Sequence, residues 1–221
     1  DMAINRDAIQ RVVMRGQSVP AGAIVPPFVN GYTKDIDAYP KVDVAKAKAL
    51  LAEAGYPNGF EVTLDCPNNR YVNDERICQA LAAMWSQIGV ATKVNTMPRA
   101  VYFPKLEKTD TSLYMLGWGG ASTDGIFTLQ PVLSTYNGKG DGDFNYGRYS
   151  NAKIDELTAK IKVDVNTEQR LKMIREALLA QNEAVNLIPL HRQVIPWASR
   201  TNVTIPHRAD NNVIPQWATL K

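Results

Sequence analysis

Residues 60–94 contain the pattern that most restricts how this chain of 221 residues can fold. Residues 60–64 alternate in polarity, as a half-buried strand does. Residues 74–88 then place apolar side chains at a helical period, between a capping Asn73 and a terminating Gly89. Residues 90–94 predict a second strand. Such a unit normally joins two parallel strands by a right-handed crossover, so the sequence predicts an α/β fold.

Further helices are predicted on both sides of this unit. Residues 2–15 and 99–108 are expected to be helical, and the helix that follows Asp43 should end at Gly55. Two later helices should begin after Asn151 and after Asn166 or Thr167. Because residues 1–4 already have the pattern of a helix interior, we expect the chain to be part of a longer protein.

The remaining segments are strands and loops. Residues 18–40 are rich in proline and predict a long irregular segment, and residues 137–147 predict an exposed loop. Residues 187–195 predict a strand. Residues 197–221 have no apolar face of their own and are expected to pack on something else. The prediction is a mixed sheet flanked by helices.

Residues 113–116 predict a third strand, which runs into Gly117, Trp118, Gly119 and Gly120. A strand that ends in glycines and a large aromatic residue offers backbone groups and an apolar face at one end of the strand. In α/β sheets, ligands usually bind at this position. An ordinary exit from a strand, with Trp118 in the core, fits the same pattern. Both alternatives remain open at this point.

Cys66 and Cys78 are the only cysteines in the chain. One is predicted at the end of a strand and the other about one turn into the following helix, close enough to form a disulfide. A disulfide would indicate an oxidising compartment. Two reduced, buried cysteines are the alternative, because free cysteine is often a small core residue.

Composition and motifs argue against several classes of function. The 25 basic and 22 acidic residues are interspersed, which disfavours a nucleic-acid surface. His191 and His207 lack the neighbours that a metal site needs, and His191 is expected to be a satisfied structural residue. The chain has no GxSxG turn and no phosphate-binding glycine loop. We therefore expect no enzyme activity, no cofactor and no metal.

Several segments, in order along the chain, carry a resemblance to one protein family. They are residues 3–9 (AINRDAI), residues 45–56 (AKAKALLAEAGY) followed by Gly59-Phe60, Asn69-Arg70-Tyr71, Gly117-Trp118 with Asp124, and Tyr149-Ser150-Asn151 with Asp155. Together they resemble the extracytoplasmic solute-binding proteins of oligopeptide, dipeptide and nickel ABC transporters, known as family 5. The resemblance spans essentially the whole chain.

The resemblance implies a periplasmic-binding-protein type II-like C-terminal lobe. Residues 1–184 would form this ligand-binding lobe, and residues 185–221 would form a return strand and tail that pack towards a missing N-terminal lobe. The implied partners are a peptide or other small solute and an ABC permease in the membrane. The implied location is periplasmic, or extracytoplasmic and membrane-associated, in keeping with a Cys66–Cys78 disulfide.

Two positions depart from the pattern of the peptide binders in this family. Many of these carry an aspartate three residues after the tryptophan, where this chain has Ala121. Oligopeptide binders also carry an arginine three residues before it, where this chain has Met115. A zwitterionic peptide would then bury its charges without compensation. Asp124 would take over the cationic contact, or else it would serve only in a turn.

The resemblance and the residue pattern together predict one ligand site. Trp118 would stack on the ligand, Gly119 and Gly120 would offer backbone groups, Ser122 and Thr123 would offer hydroxyl groups, and Asp124 a charge, with Arg70 and Tyr71 as further candidates. The expected function is capture of a solute for an ABC importer. The alternatives are a small-molecule hydrolase or transferase, or a sensor or chaperone module with the same fold.

Overall fold

The computed structural model describes residues 1–120, 122–208 and 210–221. Seven α-helices are described: α1 (Arg6–Ala8), α2 (Val44–Glu53), α3 (Asp74–Ser86), α4 (Arg99–Glu107), α5 (Ile126–Thr128), α6 (Ala152–Val163) and α7 (Thr167–Ala184). Helices α1 and α5 continue as π-helical turns, Ile9–Val13 and Leu129–Leu133, and a 3-10 turn covers Pro215–Trp217. Among the described residues, no helix is both long and apolar enough to span a bilayer.

Seven strands form three sheets. The strands are β1 (Ser18–Pro20), β2 (Phe60–Pro67), β3 (Val90–Met97), β4 (Leu113–Tyr114), β5 (His191–Gln193), β6 (Val203–Thr204) and β7 (Thr219–Leu220). The central sheet has the order β3-β2-β4, and its strands are all parallel. Strand pairs β1–β5 and β6–β7 form separate antiparallel ribbons. The predicted α/β class is confirmed, with the parallel and antiparallel pairings in different sheets.

The predicted strand, helix, strand unit is confirmed by the pairing of β2 with β3. Eight residue pairs run in register from Phe60 opposite Val90 to Pro67 opposite Met97. Helix α3 packs beneath this pair and contributes Ile77, Cys78 and Leu81 to a buried cluster with Leu64 of β2. The apolar face of α3 therefore covers the sheet, as its helical period predicts.

Three of the predicted helix caps are confirmed, and a fourth works differently. The side chains of Asp43, Asn151 and Asn166 each accept hydrogen bonds from backbone N–H groups at the start of their helices. Asn73 lies in the left-handed region, with φ of 58°, and its side-chain amide donates to the carbonyl of Val13 instead. Asn73 therefore ties α3 to the N-terminal segment of the chain.

Three sequence-based boundaries were wrong. Residues 1–4 form a turn rather than a helix, because the extended backbone of Asn5 begins α1 only at Arg6. The strand predicted over residues 187–195 is limited to His191–Gln193, because Pro189 has no N–H group and its carbonyl accepts from the Arg6 guanidinium. Strand β4 ends after Tyr114, since the Met115 carbonyl accepts a hydrogen bond from the Tyr102 hydroxyl group.

A second, helical core lies beside the sheet. Helices α6 and α7 pack against each other and against the proline-rich segment before α2. The largest fully buried side chains of this core are Ile36, Leu129, Leu133, Ile154, Ile161 and Ile174. A smaller cluster of Met97, Tyr102, Leu106 and Tyr146 joins the end of the sheet to the loop before α6. The loop predicted to be fully exposed is therefore partly buried, at Tyr146 and Asn145.

Cys66 and Cys78 form a disulfide, which resolves the alternatives left open by the sequence. Both residues are fully buried, and their Cα atoms are 6.7 Å apart. The bond joins the end of strand β2 to the first turns of helix α3. It therefore closes the loop that connects these two elements.

We expect the double variant Cys66→Ala/Cys78→Ala to lose about 2–4 kcal/mol of unfolding free energy, because the unfolded chain gains entropy. Urea unfolding followed by circular dichroism measures this loss. Wild-type protein under a reducing agent should unfold at a midpoint close to that of the double variant. Equal midpoints for the oxidised wild type and the double variant would contradict this expectation.

Asp37 ties the proline-rich segment to β5. Its carboxylate accepts two hydrogen bonds from the Arg192 guanidinium, at 3.0 and 2.7 Å, and others from Gly22 N, Ala23 N and the Tyr32 hydroxyl group. Burial alone would raise the pKa of Asp37, but the hydrogen bonds from Arg192 and the two backbone groups outweigh it and lower the pKa to about 2.

Because the folded-state pKa of Asp37 lies below its unfolded value of 3.8, this group stabilises the fold fully above pH 4. The contribution, on the order of 2 kcal/mol, is lost as the pH falls from 4 towards 2. Unfolding free energies of wild type and Asp37→Asn should therefore differ most above pH 4 and converge near pH 2. A difference that is constant over this range would contradict the assignment.

Candidate functional site

The candidate site lies at the edge where the three parallel strands of the central sheet end. Strand β2 leads into residues 68–73, β4 leads into residues 115–120, and β3 leads through Pro98 into α4. Asn69 links two of these exits, since its side-chain oxygen accepts from Arg99 N at 2.7 Å. The carboxyl edge of parallel strands is the usual place for a ligand in open α/β sheets.

Tyr71 brings the first two of these loops into contact. Its hydroxyl group lies 3.4 Å from the Gly117 carbonyl oxygen, and its ring lies next to Gly117. A Cβ atom on Gly117 would lie only 2.5 Å from Cε1 of Tyr71. The Arg70 guanidinium lies 4.9 Å from the centre of the Tyr71 ring. The structure thus places Arg70 and Tyr71 beside the glycine that precedes Trp118.

Trp118 is partly buried and has contacts on both the core side and the outer side. It packs against the helical core, and its indole N–H donates to the Phe127 carbonyl at 3.2 Å. The ring of Phe144 lies 4.9 Å away, tilted by 58°, and Phe144 in turn contacts Tyr146. Sequence reasoning missed Phe144 and Tyr146. Their occurrence as two aromatic residues within an otherwise polar, glycine-rich loop could have indicated that they pack against another part of the chain.

Gly119 is exposed, and no atom lies within 4 Å of the place where its Cβ would be. Ser122 and Thr123 are also exposed. The Ser122 hydroxyl group accepts from Asp124 N at 3.1 Å, and the Thr123 carbonyl accepts from Asn30 N at 2.7 Å. Gly120 is partly exposed, and Ala121, on which the peptide comparison depends, lies outside the described residues. These groups form the outer rim of the loop after Trp118.

Asp124 is held within the protein. Its carboxylate forms an ion pair with Arg170 at 2.6 Å and accepts from Ile126 N at 3.0 Å. It therefore lies two residues before helix α5 and links the first residue of this helix to Arg170 of α7. This arrangement corresponds to the alternative in which Asp124 serves only in a turn, because a ligand cation would have to compete with Arg170 for its carboxylate. The sequence did not reveal Arg170, which lies 46 residues away along the chain.

Met115 occupies the position where oligopeptide binders carry an arginine, and it belongs to the core. Its sulfur lies 3.8 Å from the sulfur of Cys78, next to the disulfide. An apolar side chain in this place contributes packing and offers no charge to a ligand. The polar contacts available at this edge are therefore those of the two loops.

Two hollows among the described residues lie away from this strand edge. One, of about 550 Å³, is lined by Arg6, Tyr39, Leu50, Leu51 and their neighbours, and a polar one of about 200 Å³ is lined by residues that include Asp155 and Lys162. Within the described part of the chain, no group of three metal-ligating side chains is present. Neither of these two hollows is lined by Trp118.

His191 differs from the expectation of a satisfied structural histidine. Burial lowers its pKa, so the ring is neutral at pH 7. Its Nδ1 atom is buried and has no hydrogen-bond partner in the described residues. The cause is its position in the three-residue strand β5, which pairs only with β1 through its backbone.

Comparison with known sequences decides the family. The profile of the bacterial extracellular solute-binding proteins, family 5 Middle, matches residues 1–140. The chain belongs to this family. Solute-binding proteins of family 5 are not enzymes, in agreement with the expectation from the sequence. The family description also places its members outside the cell membrane.

Individual relatives of this family 5 chain differ in what they are named for. The chain is 31% identical over 195 residues to heme-binding protein A of Haemophilus influenzae, covering 87% of this chain and 35% of that protein. It is 29% identical over 199 residues to the dipeptide-binding protein of Escherichia coli K12, covering 87% and 36%. The chain thus spans about a third of the length of these relatives.

A solved structure shows the same fold. HbpA2 from Haemophilus parasuis superimposes with a TM-score of 0.83 at 25% identity, covering 100% of this chain and 43% of that one. This likeness agrees with the predicted type II-like fold of periplasmic binding proteins.

Gly117→Ala should displace Tyr71, because the added methyl group would overlap its ring. We expect shifted NMR signals for the Tyr71 ring and the Trp118 indole, and a loss of about 1–3 kcal/mol of unfolding free energy from overpacking. Gly119→Ala is the matched control, since its methyl group would meet open space. Equal effects of the two substitutions would show that Tyr71 does not pack on Gly117 in solution.

Proposed function

We propose that this chain is the ligand-binding part of a solute-binding component of an ABC importer. Membership of family 5 is the observation that carries the proposal. The meeting of Tyr71, Gly117 and Trp118 at the carboxyl edge of the sheet supports the location of the site. The solute would be bound reversibly at this edge and delivered to a permease in the membrane.

The contacts at this edge fit a non-covalent site. Gly119 and Gly120 expose backbone groups, and the exposed Ser122 and Thr123 offer hydroxyl groups. The partly exposed rings of Trp118, Tyr71 and Phe144 supply flat apolar surface. Arg70 is exposed and has no carboxylate partner within the described residues. Asp124 would contribute mainly by fixing the loop through Arg170.

We further propose that residues 1–184 form one lobe of a two-lobed clamp, and that residues 185–221 lead towards the other lobe. The exposure of Gly119, Ser122 and Thr123 next to Trp118 supports this, because a ligand needs to be enclosed for tight binding. The tail also carries exposed apolar side chains, with Trp217 50% and Leu220 79% exposed. Several large apolar side chains exposed within one short segment would suit a surface that packs on another part of the protein.

The ligand would lie between two lobes in the extracytoplasmic space, which in a cell with two membranes is the periplasm. Relatives named for heme and for dipeptides bracket the size of solute that such a clamp would accept. Hinge closure of the lobes around the ligand would create the complete site.

The tyrosines near Trp118 do not favour a hydrolase or transferase. Burial raises the pKa of Tyr71 and Tyr114, and it raises that of Tyr146 to about 12. These hydroxyl groups stay protonated at neutral pH, so they act neither as bases nor as nucleophiles.

Because one lobe supplies only half of the contacts, the 221-residue chain alone should bind weakly. Losing about 4 kcal/mol of contact energy weakens binding about a thousandfold, so we expect dissociation constants near 1 mM. Calorimetry with dipeptides, glutathione and hemin as probes should show no micromolar binding by the chain. Micromolar affinity would contradict the proposal of a two-lobed clamp.

NMR at millimolar probe concentration locates the weak binding. The chain has four tryptophans, whose indole N–H signals are separate reporters. We expect a binding probe to shift the Trp118 signal and to leave those of Trp85, Trp197 and Trp217 unchanged. Shifts confined to the other three would place the site elsewhere.

A further inference from the structure

The first residue of α3, just after the loop that follows β2, carries a buried carboxylate whose contacts are unlike those of an ordinary helix cap. Asp74 is only 4% exposed, although it is charged. No ion pair involves it among the described residues. A buried carboxylate is costly unless hydrogen bonds compensate it. Its partners therefore show what the residue is for.

All the side-chain hydrogen bonds of Asp74 come from backbone N–H groups around it, and its own backbone N–H donates to the Tyr71 carbonyl at 3.4 Å. Oδ2 accepts from Arg70 N at 2.9 Å and from Tyr71 N at 3.0 Å, and Oδ1 accepts from Glu75 N at 2.9 Å. Asp74 is also the first residue of α3, where the helix dipole favours a negative charge. One carboxylate thus joins the N-terminus of α3 to the two preceding loop residues that belong to the candidate site.

The loop is held at further points. The disulfide closes it covalently between Cys66 and Cys78, and Asn73 anchors it to Val13. At its exposed side, Val72 N donates to the side chain of Gln193. These contacts and the hydrogen bond between Asn69 and Arg99 restrain other parts of the loop, whereas the Asp74 side chain is the acceptor for the backbone N–H groups of Arg70 and Tyr71.

Tyr71 transmits this restraint to the second loop. Its ring occupies the space above Gly117, and its hydroxyl group lies near the Gly117 carbonyl, one residue before Trp118. A displacement of the Tyr71 backbone would therefore remove the support beneath residues 117–118. The three heavy atoms nearest to the Cβ position of Gly117 all belong to the Tyr71 ring.

We propose that Asp74 is a positioning residue of the solute site, which acts through Tyr71 to hold residues 117–120 in their binding geometry. This role of Asp74 rests on the proposed function. The contacts of Asp74 and Tyr71 are present without a ligand. Preorganisation of this kind lowers the entropy that a ligand must remove on binding. Asp74 itself would touch no ligand.

The test compares Asp74→Ala with Asp43→Ala, using the ligand-free chain. Asp43 caps α2 through Lys46 N and has no contact with the site loops, so it controls for the loss of a carboxylate at a helix start. Amide hydrogen exchange of Arg70 and Tyr71 should become at least about tenfold faster in Asp74→Ala alone. The Trp118 indole signal and the amide signals of Gly119 and Gly120 should shift with it.

Asp74→Asn is the second variant, in case the alanine variant does not fold. Its side-chain oxygen can still accept from the loop, so we expect a partial rescue of exchange protection at Arg70 and Tyr71. Faster exchange spread evenly over α3, as in a merely structural role, would overturn the proposal. Faster exchange at Tyr71 with unchanged signals for Trp118 and the glycines would overturn it as well.

The proposed function is tested separately by the probe titrations. Probe binding at Trp118 with no effect of Asp74 substitutions on the loops would leave the solute site in place and remove the positioning role. Loop loosening in Asp74→Ala without any probe binding would support the positioning role and count against the solute site.

Discussion

Pairing of β2 on both edges is the constraint on which the rest of the structure depends. Strand β2 lies between β3 and β4, and it pairs along its whole length with β3 and at Leu64 and Asp65 with β4. Its Asp65 is buried and holds both flanking layers, accepting from Asn95 of β3 at 2.7 Å and from Lys105 of α4 at 3.0 Å. The hydrogen bond to Asp65 raises the pKa of Lys105. Breaking such a buried pair would leave an uncompensated charge.

The candidate site follows from this strand order. Because β2, β3 and β4 are parallel, the segments that leave them emerge at one edge. The loops after β2 and β4 then meet through Tyr71 and Gly117, and the disulfide restrains the first of them. Among the described residues, this edge presents aromatic faces, backbone groups and hydroxyl groups, which suit reversible binding.

The end of the chain is joined to the same body by a different network. Arg192 of β5 forms two hydrogen bonds with Asp37, and β5 pairs with β1. Beyond β5, the described residues form the short ribbon β6–β7 and the 3-10 turn Pro215–Trp217, and Trp217 and Leu220 remain exposed. The first part of residues 185–221 therefore belongs to the folded body. The later part carries the surface that we propose to face another lobe.

Local patterns in the sequence were sufficient for the elements. The helical period of α3, the alternation of β2, the caps Asp43, Asn151 and Asn166, and the crossover between parallel strands could all be predicted, because each depends on neighbours along the chain. The disulfide remained one of two alternatives, since spacing alone does not show whether two sulfur atoms meet. The site loop around Trp118 was predictable as a strand end rich in glycine.

Only the tertiary structure decided which side chains are free to act in that site. In the structure, Asp124 pairs with Arg170 and Met115 packs against the disulfide. Phe144 lies next to Trp118, although its loop was predicted to be exposed. The structure also showed that Asp74 holds Tyr71 in place. The sequence by itself determined the α/β unit and the location of the glycine–tryptophan loop. Contacts between residues far apart in the chain depend on packing that no local period records, so the availability of charges and rings at the site emerged only from the fold.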